Sequence, residues 1–284
     1  MVNLNSCPLC QQKNFQRVFK KGRRQIVRCL NDNLVVVNPK PTREEIARLY
    51  SPKYFRSLNP YLKDHQAHLK YFRQKLDQIE KRIKKGSLLD VGCGWGFLLS
   101  EAQKRGWSAL GIDLSYSAVA SCRRQGLKVK QGTLKTAKLP SRNFTVITSF
   151  QTIEHVTNPL VHLQEIYRLL KPGGLLVMTT PNYDSWTRIL MGENWFGYRH
   201  QEHLFFLNPA VVRLLLEQAG YGKIEIRRDD QRVFSLSYYL TRLAGFYPTN
   251  IVKTASDVVK RVLGNLPLPI LTDPWGDILV FAWK

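Results

Sequence analysis

The sequence predicts an α/β fold in which helices cover a mostly parallel sheet. Short apolar runs alternate with segments of helical period over residues 87–228, which is the βαβ pattern of parallel sheets. A glycine-dense turn also separates the first apolar run, residues 88–91, from the helix that follows Gly96. We expect seven strands, of which the last, in GDILVFAWK, pairs antiparallel with the sixth.

Length and composition limit the class of protein. The chain has 284 residues, 44% of them hydrophobic, which suffices for one α/β domain of about 200 residues and appendages. No run approaches the ~18 apolar residues of a membrane span, and the start, MVNLNSCPLC, lacks the basic-then-apolar build of a signal peptide. These features and the odd number of cysteines, five, favour a reducing cytoplasm.

The net charge of +22 is concentrated at the amino terminus. Residues 1–86 hold 20 Lys and Arg against 6 Asp and Glu, a net charge of +14. Such a surface attracts nucleic acid, an anionic membrane or acidic substrates without choosing among them. A solvated basic face explains the same charge equally well.

The first 40 residues resemble a zinc ribbon. Two residues separate Cys7 from Cys10, and two residues separate Cys29 from Asp32. Zinc ribbons have cysteine at the fourth position, but a carboxylate oxygen is also a zinc ligand. We therefore expect either a structural zinc with three thiolates and one carboxylate, or a ribbon that has lost its metal and is held by packing.

Residues 41–86 are predicted to form a helical connector between this segment and the larger domain. The T-x-x-E sequence from Thr42 to Glu45 is a capping box that opens a short helix. A longer helix is expected over residues 61–85, because its apolar residues share one face while Lys and Arg occupy the other.

The glycine-dense turn and the next strand predict a nucleotide-type ligand site. Asp90 precedes Gly92 and Gly94, and glycine allows a ligand to approach the backbone closely. Asp113 ends the second strand, where its carboxylate can accept hydrogen bonds from ribose hydroxyls. Such a site at the carboxyl edge of a parallel sheet fits a dinucleotide or another nucleoside-containing cofactor.

Later motifs distinguish these possibilities. The third strand ends at Thr133 and Leu134, the fourth is followed by Gln151 and by Glu154-His155, and K-P-G-G precedes the fifth. With D-V-G-C-G-W-G, this ordered set resembles the class I S-adenosylmethionine-dependent methyltransferases. The E-H pair resembles that of the ubiquinone-type O-methyltransferases, whereas oxidoreductases do not share the set.

The resemblance implies a Rossmann-like methyltransferase domain over residues 87–284 and S-adenosylmethionine as cofactor. It also implies a role for each matching residue. Those expected to border the cofactor are Asp90, Gly92 and Gly94 at the methionine and ribose, Asp113 at the ribose, Thr133 and Leu134 at the adenine, and Gln151 at the methionine end.

Methyl transfer from a sulfonium is an in-line displacement that requires neither a metal nor a covalent intermediate, so we expect no metal in the chemistry. The donor loses its charge as the methyl leaves, which favours a water-poor pocket. Residues 182–207 follow the fifth strand, where the resemblance places a substrate lip, and we expect its aromatic residues to exclude water. These are Trp186, Trp195, Phe196 and Tyr198.

A hydroxyl acceptor must also lose its proton, and histidine is the natural base near neutral pH. His203 and His155 are the two candidates, and His203 is favoured because it lies among the lip aromatics. Structural hydrogen bonding is the alternative role for each. The favoured function is O-methylation of a small molecule, such as a sugar, a quinone-like compound or a lipid-linked acceptor.

Two other functions compete with this one. A nucleic-acid methyltransferase would hold phosphates with the basic amino-terminal region, although the N/D-P-P-Y/F/W sequence of amino-methylating members is replaced by S-F-Q-T at 149–152. The second competing hypothesis is a non-catalytic interaction protein. Residues 229–276 are a long insertion that could be a lid, a dimer surface, a helix on an anionic membrane, or ordinary packing over the sheet. The sequence specifies neither the acceptor atom nor the oligomeric state.

Overall fold

The computed structural model describes residues 3–49, 65–195, 197–198, 202–229 and 276–284, together with positions 254 and 258. The helices expected within the 229–276 insertion and the first four residues of the helix expected over 61–85 lie outside the described residues. In the described part of the chain, no helix has the length and apolar composition needed to cross a bilayer.

Eleven strands are described, in two sheets. In chain order they are β1 (Phe15–Lys21), β2 (Arg24–Cys29), β3 (Val35–Asn38), β4 (Ser87–Val91), β5 (Ser108–Asp113), β6 (Val129–Gln131), β7 (Phe144–Phe150), β8 (Leu170–Thr180), β9 (Phe205–Phe206), β10 (Lys223–Arg228) and β11 (Ile278–Trp283).

Eight α-helices are described in the same residues. They are α1 (Arg43–Leu49), α2 (His65–Glu80), α3 (Phe97–Lys104), α4 (Tyr116–Arg124), α5 (Leu134–Ala137), α6 (Pro159–Leu169), α7 (Trp186–Met191) and α8 (Pro209–Gln218). The predicted capping box before α1 is confirmed, because Thr42 N–H donates to Glu45 Oε2 at 2.7 Å and Glu45 N–H donates to Thr42 Oγ1 at 3.2 Å.

The main sheet has seven strands in the spatial order β10-β11-β8-β7-β4-β5-β6. Strands β8, β7, β4, β5 and β6 are parallel, whereas β11 is antiparallel to both of its neighbours. This arrangement confirms the predicted sheet. The chain runs outward from β4 through β5 to β6 and then crosses to β7 on the other side of β4. The strand order therefore reverses at β4, and open α/β sheets bind ligands at such a point.

Alternate residues of the buried strands supply two cores, one on each face of the sheet. Leu175 and Val177 of β8 belong to one core, with side chains from α2 and α3. Leu176 and Met178 belong to the other, with side chains from α6 and α8. Buried on both faces, the central strands have the continuous apolar sequences that parallel strands require.

The K-P-G-G segment differs from the turn predicted before the fifth strand. Strand β8 already begins at Leu170, which pairs with Phe144, and the next pairing is Leu175 with Val146. The four intervening residues therefore form an outward bulge within the strand. Gly173, at φ 71°, supplies the left-handed conformation that the bulge needs.

The described residues of the 182–207 lip include regular secondary structure. They contain α7 and β9, and β9 completes a four-stranded sheet in the order β1-β2-β3-β9. Phe206 pairs with Val35 and Phe205 with Val36. A strand of the larger domain therefore completes the amino-terminal sheet.

A buried ion pair connects α2 to the end of β10. Lys75 Nζ donates to Asp229 Oδ1 at 2.5 Å, and Tyr71 O–H donates to Asp229 Oδ2 at 2.5 Å. The side chains of Lys75 and Asp229 are both 0% exposed. Since a buried charge is costly without its partner, this pair fixes α2 over the sheet edge.

We expect Lys75→Met to lower the free energy of unfolding by about 3–5 kcal/mol, because it leaves the Asp229 carboxylate buried without its cation. The matched control is Lys104→Met, which removes an ion pair to Glu101 whose lysine side chain is 62% exposed. That change should cost less than about 1 kcal/mol. Urea unfolding measures both, and equal losses in the two variants would contradict the assignment.

Candidate active site

The glycine-rich turn after β4 forms a backbone cradle. Gly92, Gly94 and Gly96 all have left-handed conformations, with φ of 76°, 50° and 78°. A Cβ on Gly92 would come within 2.4 Å of Thr152 Oγ1, so a side chain has no room there. A Cβ on Gly94 would meet no atom within 4 Å. Gly94 therefore borders open space into which a ligand can enter.

Asp113 holds this cradle from the tip of β5. Its Oδ2 accepts from Gly94 N–H at 2.8 Å and its Oδ1 accepts from Ser115 N–H at 2.8 Å. Burial raises the pKa of the Asp113 carboxyl, while the two backbone hydrogen bonds lower it. Each carboxylate oxygen keeps the capacity to accept a second hydrogen bond, as the role at the ribose that the resemblance implies would require.

Asp90 is buried at the end of β4. Its Oδ1 accepts from Thr148 Oγ1 at 2.7 Å. Burial and the negative charge of Asp113 together raise the pKa of Asp90 to about 7, against the lowering effect of the Thr148 hydrogen bond. A cation beside this carboxyl would favour its ionised form. The ammonium group of a methionine moiety is such a cation.

The two residues predicted at the adenine have structural tasks in α5. Thr133 is the N-cap of this helix, and its Oγ1 accepts from Thr136 N–H at 3.3 Å. The Leu134 side chain is buried in the core, which leaves its backbone as the part that can contact a ligand. The exposed Leu114, directly after Asp113, is an apolar surface that the sequence prediction missed.

Gln151 lies just past β7 in a left-handed conformation, at φ 50°. Its Nε2 donates to Asp277 Oδ2 at 3.0 Å and to Thr179 Oγ1 at 3.3 Å. The amide thus connects the ends of β7 and β8 to the residue that precedes β11. A non-glycine residue with positive φ at this edge is a feature of functional turns.

Two of the four lip aromatics lie in an apolar core and not at the surface of the lip. Trp195 and Tyr198 are buried, and they pack with Tyr183 and Phe206 against the amino-terminal sheet. Trp186 on α7 is 54% exposed. Phe196 lies outside the described residues. The described aromatics therefore mainly stabilise the junction between the lip and the first sheet.

Glu154 occupies the 3₁₀ turn Ile153–His155, immediately beyond β7. Its side chain is 1% exposed, and its Oε2 accepts from Oγ1 of Thr180, the last residue of β8, at 3.0 Å. The carboxylate therefore lies where the fourth and fifth strands of the main sheet end. The sequence prediction named Glu154 only as part of the E-H pair and gave it no role in the site.

The two predicted histidines come together beside Glu154. The His155 and His203 rings are 4.8 Å apart between centroids, and His155 Nε2 is 3.9 Å from Glu154 Oε1. His155 Nδ1 lies 2.9 Å from the Glu202 carbonyl oxygen, and His203 Nδ1 lies 2.9 Å from that of Gly197. A carbonyl only accepts, so both Nδ1 atoms donate, and in the neutral rings Nε2 carries the lone pair.

The ribbon residues form a second cluster of potential ligands. The ligand atoms of Cys7, Cys10, Cys29 and Asp32 all lie within 4.8 Å of one another. Cys10 Sγ is 3.5 Å from Cys29 Sγ, and Cys7 Sγ is 2.9 Å from Asp32 Oδ2. Tetrahedral zinc with bonds of about 2.3 Å separates two sulfurs by roughly 3.8 Å, so the residues fit such an ion.

Comparisons with known proteins identify the family of the chain. A family model described as a methyltransferase domain matches residues 51–226, more than half of the chain. The ubiquinone biosynthesis O-methyltransferase of Histophilus somni is 30% identical over 170 residues, which cover 54% of this chain and 69% of that protein. The corresponding enzyme of Cereibacter sphaeroides is 31% identical over 150 residues, covering 49% and 61%. The chain spans 55% to 69% of the length of such curated relatives.

Solved structures share the fold. The phosphoethanolamine N-methyltransferase 2 of Haemonchus contortus, in complex with S-adenosyl-L-methionine, has a TM-score of 0.59 at 16% identity, covering 94% of this chain and 70% of that one. A SAM-dependent methyltransferase from Archaeoglobus fulgidus has a TM-score of 0.52 at 17% identity, covering 75% and 92%. The fold, the glycine-rich turn and the matching family model all point to the same family. The chain belongs to the class I S-adenosylmethionine-dependent methyltransferases.

We expect Asp113→Ala to weaken S-adenosylmethionine binding. The variant loses hydrogen bonds to a charged group, worth about 1.5–3 kcal/mol, or roughly 10- to 150-fold in affinity. The substitution also removes the oxygen that accepts a hydrogen bond from Gly94 N–H. Calorimetry measures the change, and Asp184→Ala, which removes an exposed carboxylate of the lip, is the control. Unchanged affinity in Asp113→Ala, or tighter binding of NAD(H) by the native chain, would refute the site.

We propose that the ribbon binds one structural zinc ion through three thiolates and Asp32. Protein expressed with added zinc should carry an ion that Cys29→Ser removes, since a structural site loses its closed ligand set. Cys122→Ser, which changes a buried cysteine outside the cluster, should keep it. Elemental analysis compares the three proteins. Equal zinc content in all of them would favour a ribbon held by packing alone.

Proposed function

We propose that this protein transfers the methyl group of S-adenosylmethionine to a hydroxyl oxygen of a small molecule. The observation that carries the proposal is the convergence of Glu154, His155 and His203 beyond the ends of β7 and β8. Catalytic groups of open α/β folds gather at this edge of the sheet. The similarity to ubiquinone biosynthesis O-methyltransferases supports oxygen as the acceptor atom.

The reaction has simple requirements at the reacting atoms. The acceptor oxygen attacks the methyl carbon, the carbon–sulfur bond breaks, and its electron pair stays on sulfur, which becomes neutral. In-line placement of these three atoms can supply on the order of 7–11 kcal/mol of the barrier. The residues of the cradle, above all Asp113 and Gly94, hold the donor for this purpose.

The acceptor hydroxyl must also lose its proton as the new bond forms. His155 and His203 each fix Nδ1–H on a backbone carbonyl, so both direct the basic Nε2 away from the loop that supports them. His203 remains the favoured recipient of the proton, as predicted from the sequence. The buried Glu154 carboxylate beside His155 would stabilise positive charge on the imidazoles.

The proposal predicts a large loss of turnover in His203→Ala. Removing a general base costs about 10²–10⁴-fold, while the affinity for S-adenosylmethionine should stay within a factor of about two. Tritium transfer from labelled donor measures the rate, with catechols, sugars and a small-molecule cell extract offered as acceptors. His65→Ala, at an exposed position on α2, is the control and should keep full activity.

Product chemistry tests the acceptor class. Label in methyl ethers of small molecules supports the proposal, and the methylated compound identifies the acceptor. Label in RNA, with binding that weakens steeply with salt, would instead show that the basic amino-terminal region serves a nucleic-acid substrate. Label in a methylated amine or carbon, with full activity in His203→Ala, would also contradict O-methylation through this cluster.

A further inference from the structure

Asp277 is a buried acid at the sheet edge that carries the cofactor cradle. It directly precedes β11, which is antiparallel to β8, so it lies beyond the carboxyl end of β8. The residue is 2% exposed. Gln151 Nε2 donates to Asp277 Oδ2 at 3.0 Å, and a buried carboxylate needs such donors to offset the loss of water. Asp277 and the Gln151 amide therefore form one unit at this edge.

Asp277 also fixes which end of the Gln151 amide is left for a ligand. The Oε1 and Nε2 ends have nearly the same shape but opposite hydrogen-bonding roles. A carboxylate only accepts, so Nε2 faces Asp277, and its second N–H donates to Thr179 Oγ1 at 3.3 Å. Gln151 is partly exposed, and no donor to Oε1 occurs among the residues that the structure describes. The amide therefore presents a carbonyl oxygen that can bind a donor group of a ligand.

The Gln151 amide and Asp90 lie on the same face of the main sheet. Alternate residues of a strand point to opposite faces. Thr179, which accepts from the amide, and Thr148, which donates to Asp90, each have the parity of the strand residues in the core formed with α2 and α3. Gln151 therefore shares its side of the sheet with the carboxyl that is expected beside the methionine moiety.

The glycine turn is close to the same position. Thr152 follows Gln151, and a Cβ on Gly92 would come within 2.4 Å of Thr152 Oγ1. Gln151 thus borders the cradle at the end where the resemblance places the methionine moiety. Its Oε1 accepts and cannot donate, so it suits the ammonium group of that moiety and not the carboxylate. The nearby carboxyl groups of Asp90 and Asp277 also favour a cation.

We propose that Asp277 is a positioning residue that holds the Gln151 amide with its oxygen toward the ammonium group of S-adenosylmethionine. Asp277 accepts from Gln151 Nε2, and Gln151 Oε1 accepts from the ammonium. Hydrogen bonds in such a chain polarise one another, and ionised members strengthen them. The inference concerns the methyl donor, so it holds whichever atom of the acceptor receives the methyl group.

Neighbouring contacts keep Asp277 in place before the cofactor binds. Its backbone carbonyl oxygen accepts from Asp229 N–H at 2.8 Å. The Asp229 carboxylate is in turn paired with Lys75 of α2 at 2.5 Å, and both side chains are fully buried. An amide held in this way does not have to be ordered on binding, which lowers the cost of association.

Calorimetry with two ligands tests the ammonium contact. S-adenosylhomocysteine carries the ammonium, whereas its deaminated analogue has hydrogen in place of the amino group. We expect the native chain to bind S-adenosylhomocysteine at least about tenfold more tightly than the analogue, as for hydrogen bonds to a charged group. Gln151→Met, which removes the oxygen, should reduce this preference at least about fivefold. Gln164→Met, at an exposed position on α6, should keep the full preference.

The role of Asp277 predicts a second result. Asp277→Asn keeps the shape but loses the charge, and its N–H can turn the Gln151 amide around. The preference for S-adenosylhomocysteine should fall at least about fivefold, while affinity for the analogue stays within about twofold. Asp184→Asn, at an exposed carboxylate of the lip, is the matched control. Combining Gln151→Glu with Asp277→Asn exchanges the amide and the carboxylate, and should restore the preference to within about threefold of the native value.

The two ligands separate positioning from a purely structural connection of the strand ends. Equal affinity of the native chain for both ligands overturns the ammonium contact. Equal losses for both ligands in Gln151→Met and Asp277→Asn overturn the positioning role, as does an exchanged pair that keeps the low preference of Asp277→Asn. If Asp277→Asn does not fold, Gln151→Met and the exchanged pair decide by the same criteria. Failure of O-methylation would appear in the methylated product and not in these affinities.

Discussion

The cofactor cradle depends on the attachment of the glycine turn to the tip of β5. The Asp113 carboxylate accepts from Gly94 N–H, and the Ile112 carbonyl accepts from the N–H groups of both Gly92 and Cys93, at 2.8 and 3.1 Å. These bonds hold a turn of left-handed residues that has little intrinsic preference for one conformation. A single acid thus shapes the turn and remains available to a bound ribose.

The glycine turn and the positions of Asp90 and Asp113 could be predicted because their signals are local. A strand, a glycine turn and a helix follow one another within residues 87–104, and Asp113 ends the next strand. The parallel sheet then brings Asp90 and Asp113 to one edge without any further information. Family resemblance added the cofactor. The structural tasks of Thr133 and Leu134 required knowledge of α5, a four-residue helix with too weak a period to detect.

The group of Glu154, His155 and His203 could be predicted only in part, because pairing between distant segments assembles it. Strand β9 has only two residues, and its partner β3 lies far away in the sequence. No periodic pattern of apolar residues predicts such a pairing. The aromatic residues of the lip therefore suggested a pocket, whereas Trp195 and Tyr198 pack under the amino-terminal sheet. The meeting of His155 with His203 follows from the same long-range pairing.

Leu204 connects the amino-terminal sheet to the turn that carries Glu154 and His155 through backbone hydrogen bonds. Val37 N–H on β3 donates to the Leu204 carbonyl oxygen at 3.0 Å, and Leu204 N–H donates to the Glu154 carbonyl oxygen at 2.7 Å. Leu204 is adjacent to His203, so β3 is hydrogen-bonded to the residue that follows this histidine. Lys40, just after β3, also donates to the Thr157 carbonyl oxygen at 3.1 Å. The amino-terminal sheet thereby helps to hold the segment of His203 beside the turn that carries Glu154 and His155.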